Sequence, residues 1–265
     1  MNDQQLKTQL ESRELMLREI FPESFRLLTG RLSFYILLTM IIYIPANILV
    51  ELLVTELPEE MALDQYTRIL VIQAAVSIYS MIGVSVTTIL VRDQLNEKED
   101  LRFLPCFSEG IRTWPYFLIT MIVFMGVVIL GLSVIVLVSS AIPLLFVPAI
   151  TLMLVVSVLA VLALYGSCIM AALHRTMLKK NLDQVNSVLK NHIGKSLGLM
   201  LLLTIVSMAV ALPVMNLSSS IALLTGSRIT GIILNVIVET VLSILNVYMN
   251  IAMVLRFMNL EKIRG

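Results

Sequence analysis

Long apolar runs alternate with short charged stretches along the chain, and each run has a length suited to crossing a membrane. Leu32 to Leu53 is the first run and Ile69 to Val91 the second. From Tyr116 to Leu173 there is no charged residue. A helix needs about 20 apolar residues to cross a bilayer, so this stretch predicts two spans, turned at Ser139-Ser140-Ala141-Ile142-Pro143. Leu197 to Met215 is the fifth run and Thr230 to Phe257 the sixth. The predicted spans are therefore 32–53, 69–91, 116–138, 149–173, 197–215 and 230–257, with a tail at 258–265. Barrel strands alternate apolar and polar residues, and these runs do not. The expectation is an all-α polytopic membrane helix bundle.

The stretches before the odd-numbered spans are amphipathic. In residues 1–31, Leu6, Leu10, Leu17 and Phe21 fall near one helical face. Leu104, Phe107, Ile111 and Trp114 do so before the third span, and Leu182, Val185, Leu189 and Ile193 before the fifth. Such helices suit the headgroup region. The spans that follow also echo one another, with LLTMI at Leu37–Ile41, LITMI at Leu118–Ile122 and LLLTI at Leu201–Ile205. The layout predicts six transmembrane helices as three hairpins, each preceded by a cytoplasmic amphipathic helix.

Charge sets the orientation. Seventeen of the nineteen lysines and arginines lie in the N-terminal segment, the second-to-third and fourth-to-fifth connections, and the C-terminus. Only Arg68 and Arg228 fall on the other side. By the positive-inside rule both termini and both long connections are cytoplasmic, in a multi-pass plasma-membrane protein. The residues before the first span hold no apolar core followed by a small-residue cleavage site, so insertion is expected to start from an internal span. The first outer loop is acidic, with Glu56, Glu59, Glu60 and Asp64, and reads either as a solvated loop or as a cation site. Asn216-Leu217-Ser218 fits a glycosylation acceptor, a match frequent by chance.

Composition agrees with the runs. Hydrophobic residues make up 58% of the chain and charged ones 14%, where soluble proteins average roughly 25% charged. The net charge of +1 gives no reason to expect a nucleic-acid partner. Cys106 is expected in a cytoplasmic loop and Cys168 inside a span, so the two should not form a disulfide.

The candidate chemistry lies in the last span. Glu239 sits nine residues into it, about 14 Å deep. A charge there costs on the order of 2.5–3.5 kcal/mol on insertion scales. Asn235, Glu239, Ser243, Asn246 and Asn250 follow at spacings of 4, 4, 3 and 4 and form one polar stripe, which should face away from lipid. The candidate partners are Gln73, Ser77, Ser80, Thr87 and Thr88 on the second span and Tyr35, Thr39, Tyr43 and Asn47 on the first. Two readings stay open. The groups bond one another and hold the bundle together, or they line an intramembrane polar cavity. Pro45 and Pro213 remove backbone donors, and the carbonyls they free can accept polar partners.

At the cytoplasmic surface Lys179, Lys180, Lys190 and Lys195, with Trp114, are candidates for contact with headgroups or a partner protein. His174 and His192 have no cysteine or carboxylate at metal-ligand spacing and read as solvated. The sequence contains no HExxH, GxSxG or GxxxxGK[ST] motif, so no metal, cofactor or catalytic residue is expected.

Three segments carry a family resemblance: FPESFRLLTGR at Phe21–Arg31, FSEGIRTWPYFL at Phe107–Leu118 and HRTMLKKN at His174–Asn181. Here the chain resembles the six-span membrane domain found with some bacterial glycerophosphodiester phosphodiesterases and related bacterial membrane proteins. The resemblance implies a bacterial plasma membrane and handling of a lipid or amphiphile. It supplies no catalytic residues, because that chemistry resides in a separate soluble domain.

The functional expectation is handling or transport of a lipid or other amphiphile through a polar intramembrane cavity, without an ATPase of its own. Membrane lipids, an ATPase or other membrane subunit, and a second copy of the chain are the candidate partners. The alternative is a non-transporting interaction protein, such as an immunity factor against membrane-active peptides or a subunit of a membrane complex.

Overall fold

The computed structural model describes residues 3–46, 48–49, 63–96, 102–141, 146–176, 178–225 and 228–264. These residues are helical almost throughout, and none of them forms a strand. The helices are α1 (Asp3–Ser12), α2 (Leu17–Gly30), α3 (Leu32–Leu38), α4 (Leu63–Leu95), α5 (Phe103–Ala141), α6 (Phe146–His174), α7 (Leu178–Leu189), α8 (Ile193–Thr225) and α9 (Arg228–Arg264). α3 continues through a π-helical turn at Thr39–Tyr43 to Ala46.

The described residues establish a membrane protein. Ile193–Val214 and Val236–Ile263 are long and apolar enough to cross a membrane. Two bent pairs raise the number to four if each is one span: Leu17–Gly30 with Leu32–Ala46, bent by 84°, and Val158–His174 with Lys179–Leu189, bent by 115°. The outside of the bundle is apolar. Ile36, Leu37 and Met40 on α3, Ile119 and Ile122 on α5, and Ile205, Met208 and Leu212 on α8 are all exposed. A soluble monomer rarely shows such continuous apolar faces. Side chains of residues 69–74 and 134–138, within the second and third predicted spans, lie outside the described set.

Neighbouring helices pack as hairpins in α5–α6 and α8–α9, while α4 packs on α5, α6 and α9. α9 is the hub and touches α1, α2, α4, α6, α7 and α8. Every residue from Ile251 to Leu260 is buried. That is the signature of a helix enclosed on all sides.

Several boundaries differ from the sequence expectation. The N-terminal amphipathic stretch is two helices, because the chain leaves helical geometry between Arg13 and Met16. Glu19 starts α2 by accepting the Met16 backbone N–H at 2.8 Å, while Arg13 grips the same carboxylate. Before the third span no separate helix forms. α5 runs unbroken for 39 residues, about 58 Å, so its first turns extend beyond a hydrocarbon core of roughly 30 Å. α7 is separate and folds back on α6. Asn181 donates to the Ser167 carbonyl at 2.9 Å, and Val185 approaches Gly166, where a Cβ would lie 3.1 Å from it and 2.7 Å from the Phe257 ring. The reversal is made by Arg175, whose φ of 52° is the left-handed conformation that ends many helices. Helix also extends through Ser139–Ala141, the first part of the expected turn, whose Ile142 and Pro143 lie outside the described residues, and through Asn216 and the tail to Arg264.

Candidate functional site

The last span reaches the bundle centre at Asn250. Its Nδ2 donates to the Tyr43 hydroxyl at 3.1 Å, and both residues are buried. Gly83 on α4 makes this possible: a Cβ there would lie 2.2 Å from the Tyr43 oxygen. Beyond Gly83, Ser85 on α4 faces Cys168 on α6 at 3.4 Å. The layer is therefore polar but closely packed.

The rest of the stripe spreads around α9. Ser243 is buried and Glu239 half-buried, and both are engaged in polar interactions. Asn246 is exposed. At 100° per residue Asn246 lies about 40° to one side of Asn250, while buried Val247 lies about 60° to the other, so the packed face is centred away from Asn246. Ser80 is half-buried. Thr88 donates to the Val84 carbonyl of its own helix. The side chains of Asn235, Gln73 and Ser77 and the whole of Asn47 lie outside the described residues, as do Glu56, Glu59 and Glu60.

Tyr43 owes its position to a local irregularity. Pro45 has no N–H to give the Ile41 carbonyl one turn back. The π-turn at Thr39–Tyr43 lies directly beneath, a usual way of absorbing such a break. Tyr79 on α4 donates its hydroxyl to that Ile41 carbonyl at 3.1 Å. Next to the break, Pro45, Ala46 and Leu49 face Ala75, Val76 and Tyr79 across a cleft of about 330 Å³. Ligand pockets run from about 300 to 1,000 Å³. The lining is apolar apart from the Tyr79 hydroxyl, which is already committed. The cleft thus lies a few residues beyond the Tyr43–Asn250 layer, further from the chain termini, with the polar groups packed into its floor.

The opposite end of α9 forms a charged collar. Arg256 is fully buried, its Nη2 2.9 Å from Glu14 and its Nη1 reaching the Leu15 carbonyl. Glu14 also meets Lys195 at 2.8 Å and His192 at 3.3 Å. Burial pushes the Glu14 carboxyl up, but the hydrogen bonds of Lys195 and Arg256, with the charges of Arg256 and His192, outweigh it and hold it at about 2. Asn259 completes the clamp on the α1–α2 link. It donates to the carbonyls of Leu10 and Arg13 and accepts the Leu15 N–H at 2.8 Å.

A second knot joins α4, α5 and α6. Arg92 and Arg175 share Glu109, and Arg92 also bonds Asp93. Burial raises the Glu109 carboxyl, yet the two arginines bring it below its ordinary value. His174 pairs with Glu261, whose hydrogen bond raises the imidazole above its usual value despite partial burial.

The collar changes several expectations. Both histidines have carboxylate partners and are not simply solvated. Lys179, Lys180, Lys190 and Lys195 are all exposed, and Lys195 also pairs with Glu14. Trp114 is half-buried, and its indole N–H has no acceptor among the described residues. Cys106 lies on α5, not in a loop, and is buried; Cys168 is buried too, and neither forms a disulfide. Among the described residues no three His, Cys, Asp or Glu side chains gather as a metal site. Sequence reading passed over Glu14, Tyr79, Gly83 and Asn259. Their partners lie tens to hundreds of residues away, so no local spacing marks them. Comparison with protein-family models, curated proteins and solved structures finds no match for this chain.

Proposed function

We propose that this chain is a six-span plasma-membrane protein, with both ends in the cytoplasm, that seats the apolar part of a lipid or other amphiphile between its first two spans. The six apolar runs and the skew of lysine and arginine support the topology. The single observation behind the binding role is the apolar cleft between Pro45–Leu49 and Ala75–Tyr79, at membrane depth and bounded below by packed polar groups. The family resemblance points the same way. Without a phosphate-binding motif, any transport would draw on an ATPase partner or an ion gradient.

Photo-crosslinking with a diazirine-bearing lipid in liposomes tests this reading. Wild type should be labelled on the peptide containing Ala75–Tyr79, and Ala75→Trp, which fills the cleft, should lose most of that label. Equal labelling of both would refute it. The close packing at Tyr43–Asn250 favours a second reading, a non-transporting subunit of a membrane complex. Crosslinking before solubilisation would recover a specific partner chain if that reading holds, and a lone monomer if it does not.

A further inference from the structure

Three short helices lie at the charged end of the bundle, and the faces they leave open differ. On α1 the exposed side chains are Gln4, Gln5, Thr8, Glu11 and Ser12. On α7, among the described residues, they are Lys179, Lys180, Asp183 and Asn186. All of these are polar. The apolar residues Leu6 and Leu10 on α1, and Val185 and Leu189 on α7, are buried in packing. Of the three, α2 alone shows large apolar side chains: Phe25 is 59% exposed and Met16, at its N-cap, 55%.

The surface of α2 divides three ways. With Arg18 at zero and about 100° per residue, buried Ile20, Ser24, Leu27 and Leu28 fall between about 180° and 280°. Glu19, Glu23 and Arg26 fall between about 80° and 140°, and Phe21 and Phe25 at about 300° and 340°. A charged edge and an aromatic edge therefore flank the packed face on opposite sides. Contacts with α9 give the edges their depth. Tyr248 donates to the Phe21 carbonyl at 3.2 Å, Arg256 binds Glu14, and Lys262 binds Glu11 on α1. Tyr248 and Lys262 lie about 21 Å apart along α9, so α1 is outermost and Phe21 nearest the middle of the bundle. The charged edge turns toward α1, where Arg26 pairs with Asp3. With α3 as the first span, the 84° bend lays α2 along the membrane surface.

We propose that α2 docks on an anionic lipid leaflet at the collar side, with its Phe21–Phe25 edge among the upper acyl chains and Arg18 and Arg31 against lipid phosphates. Charge favours this occupant. Arg13 and Arg26 are tied to carboxylates, whereas Arg18 and Arg31 stand exposed on either side of Phe25 along the chain. A helix with an aromatic edge and neighbouring cations lies in the interface, where anionic lipids attract the cations. α1 and α7 lack such an edge and face water. The docking rests on α3 crossing the membrane and not on what the cleft holds.

Tryptophan quenching in vesicles provides the test. Trp114 is the only tryptophan, so a chain with Trp114→Phe reports on one placed elsewhere. In vesicles of equal parts phosphatidylcholine and phosphatidylglycerol, Phe25→Trp should be quenched by lipid brominated at the upper acyl carbons and hardly by aqueous acrylamide. Met40→Trp, on the exposed face that continues α3, should be quenched best by bromine deeper in the acyl chain. Bromine carried by phosphatidylglycerol alone should quench Phe25→Trp about twofold more than bromine carried by phosphatidylcholine alone, and adding Arg18→Gln and Arg31→Gln should remove that preference. Quenching of Phe25→Trp by acrylamide, with Met40→Trp still quenched by lipid, overturns the docking and leaves the span in place. No lipid quenching at either position overturns both. Equal quenching by the two brominated lipids overturns the anionic assignment.

Discussion

Two stretches of one helix behave differently. From Ile251 to Leu260, α9 is enclosed on every side, and its polar residues Arg256 and Asn259 have named partners on the α1–α2 link. From Asn235 to Asn250 the same helix carries a regular polar stripe, yet Asn246 is exposed and Asn250 makes its bond with one side of its amide only. The stripe looked the more purposeful in sequence, while Arg256 looked like one more cytoplasmic cation. Regular spacing shows which residues share a face. It does not show where the neighbouring helices pack, and that decides which polar group is held.

The sharpest break between the two stretches is Arg256→Ala. It removes a fully buried guanidinium that bonds Glu14, Leu15 and Ser196, and hydrogen bonds to charged groups are worth about 1.5–3 kcal/mol each. Thermal unfolding in detergent should show a drop of many degrees. Asn259→Leu comes next, since it orphans two carbonyls and one N–H at about 1–3 kcal/mol each at most. Limited trypsin digestion should then cut faster after Arg13. Asn250→Leu should cost less, about 0.6–1.7 kcal/mol, as interhelical hydrogen bonds in membranes do. Asn246→Leu should be neutral or slightly stabilising. If Asn246→Leu destabilises more than Asn250→Leu, the assignment of the packed face is wrong.

Acidity probes the collar more gently. The Glu14 carboxyl sits at about 2 against an ordinary 4.5, so its contribution is complete above pH 4.5 and drains away as pH falls toward 2. His174 works in the opposite sense. Its value is raised from 6.5, so the tie to Glu261 is complete below pH 6.5 and is lost as pH climbs through the folded value. Both groups are partly solvated, which keeps the second effect the smallest. A pH series of melting temperatures for wild type, Glu14→Gln and His174→Gln separates them. The Glu14→Gln curve should slope less steeply than wild type at acid pH, where the remaining slope belongs to carboxylates such as Glu19 and Glu109.

The helices were legible because a membrane imposes a local rule: apolar residues must continue for the whole crossing. That rule placed α4, α5, α6, α8 and α9, and helical periodicity found the amphipathic faces of α1, α2 and α7. The bends were not legible. Nothing in the sequence around Arg175 announces a left-handed residue, since glycine or asparagine normally takes that position. The cleft was missed for a different reason. Pro45 signalled a freed carbonyl, but its acceptance of the Tyr79 hydroxyl spans 38 residues. Gly83 read as an ordinary small residue until Tyr43 was seen to cross it. Polar residues inside an apolar run suggested a polar cavity, whereas among the described residues close packing uses several of those groups and the cleft beside Pro45 is apolar.

The clamp on the α1–α2 link also fixes an order of events during synthesis. Glu14 and Arg256 lie 242 residues apart. At about 5–20 residues per second, Glu14 leaves the ribosome on the order of 10–50 s before its partner exists. α1 and α2 are thus made well before the helix that seats them. Lys195, which also pairs with Glu14 in the finished fold, is itself made late. Docking of α1 and α2 onto α9 therefore waits until the residues between them have been made.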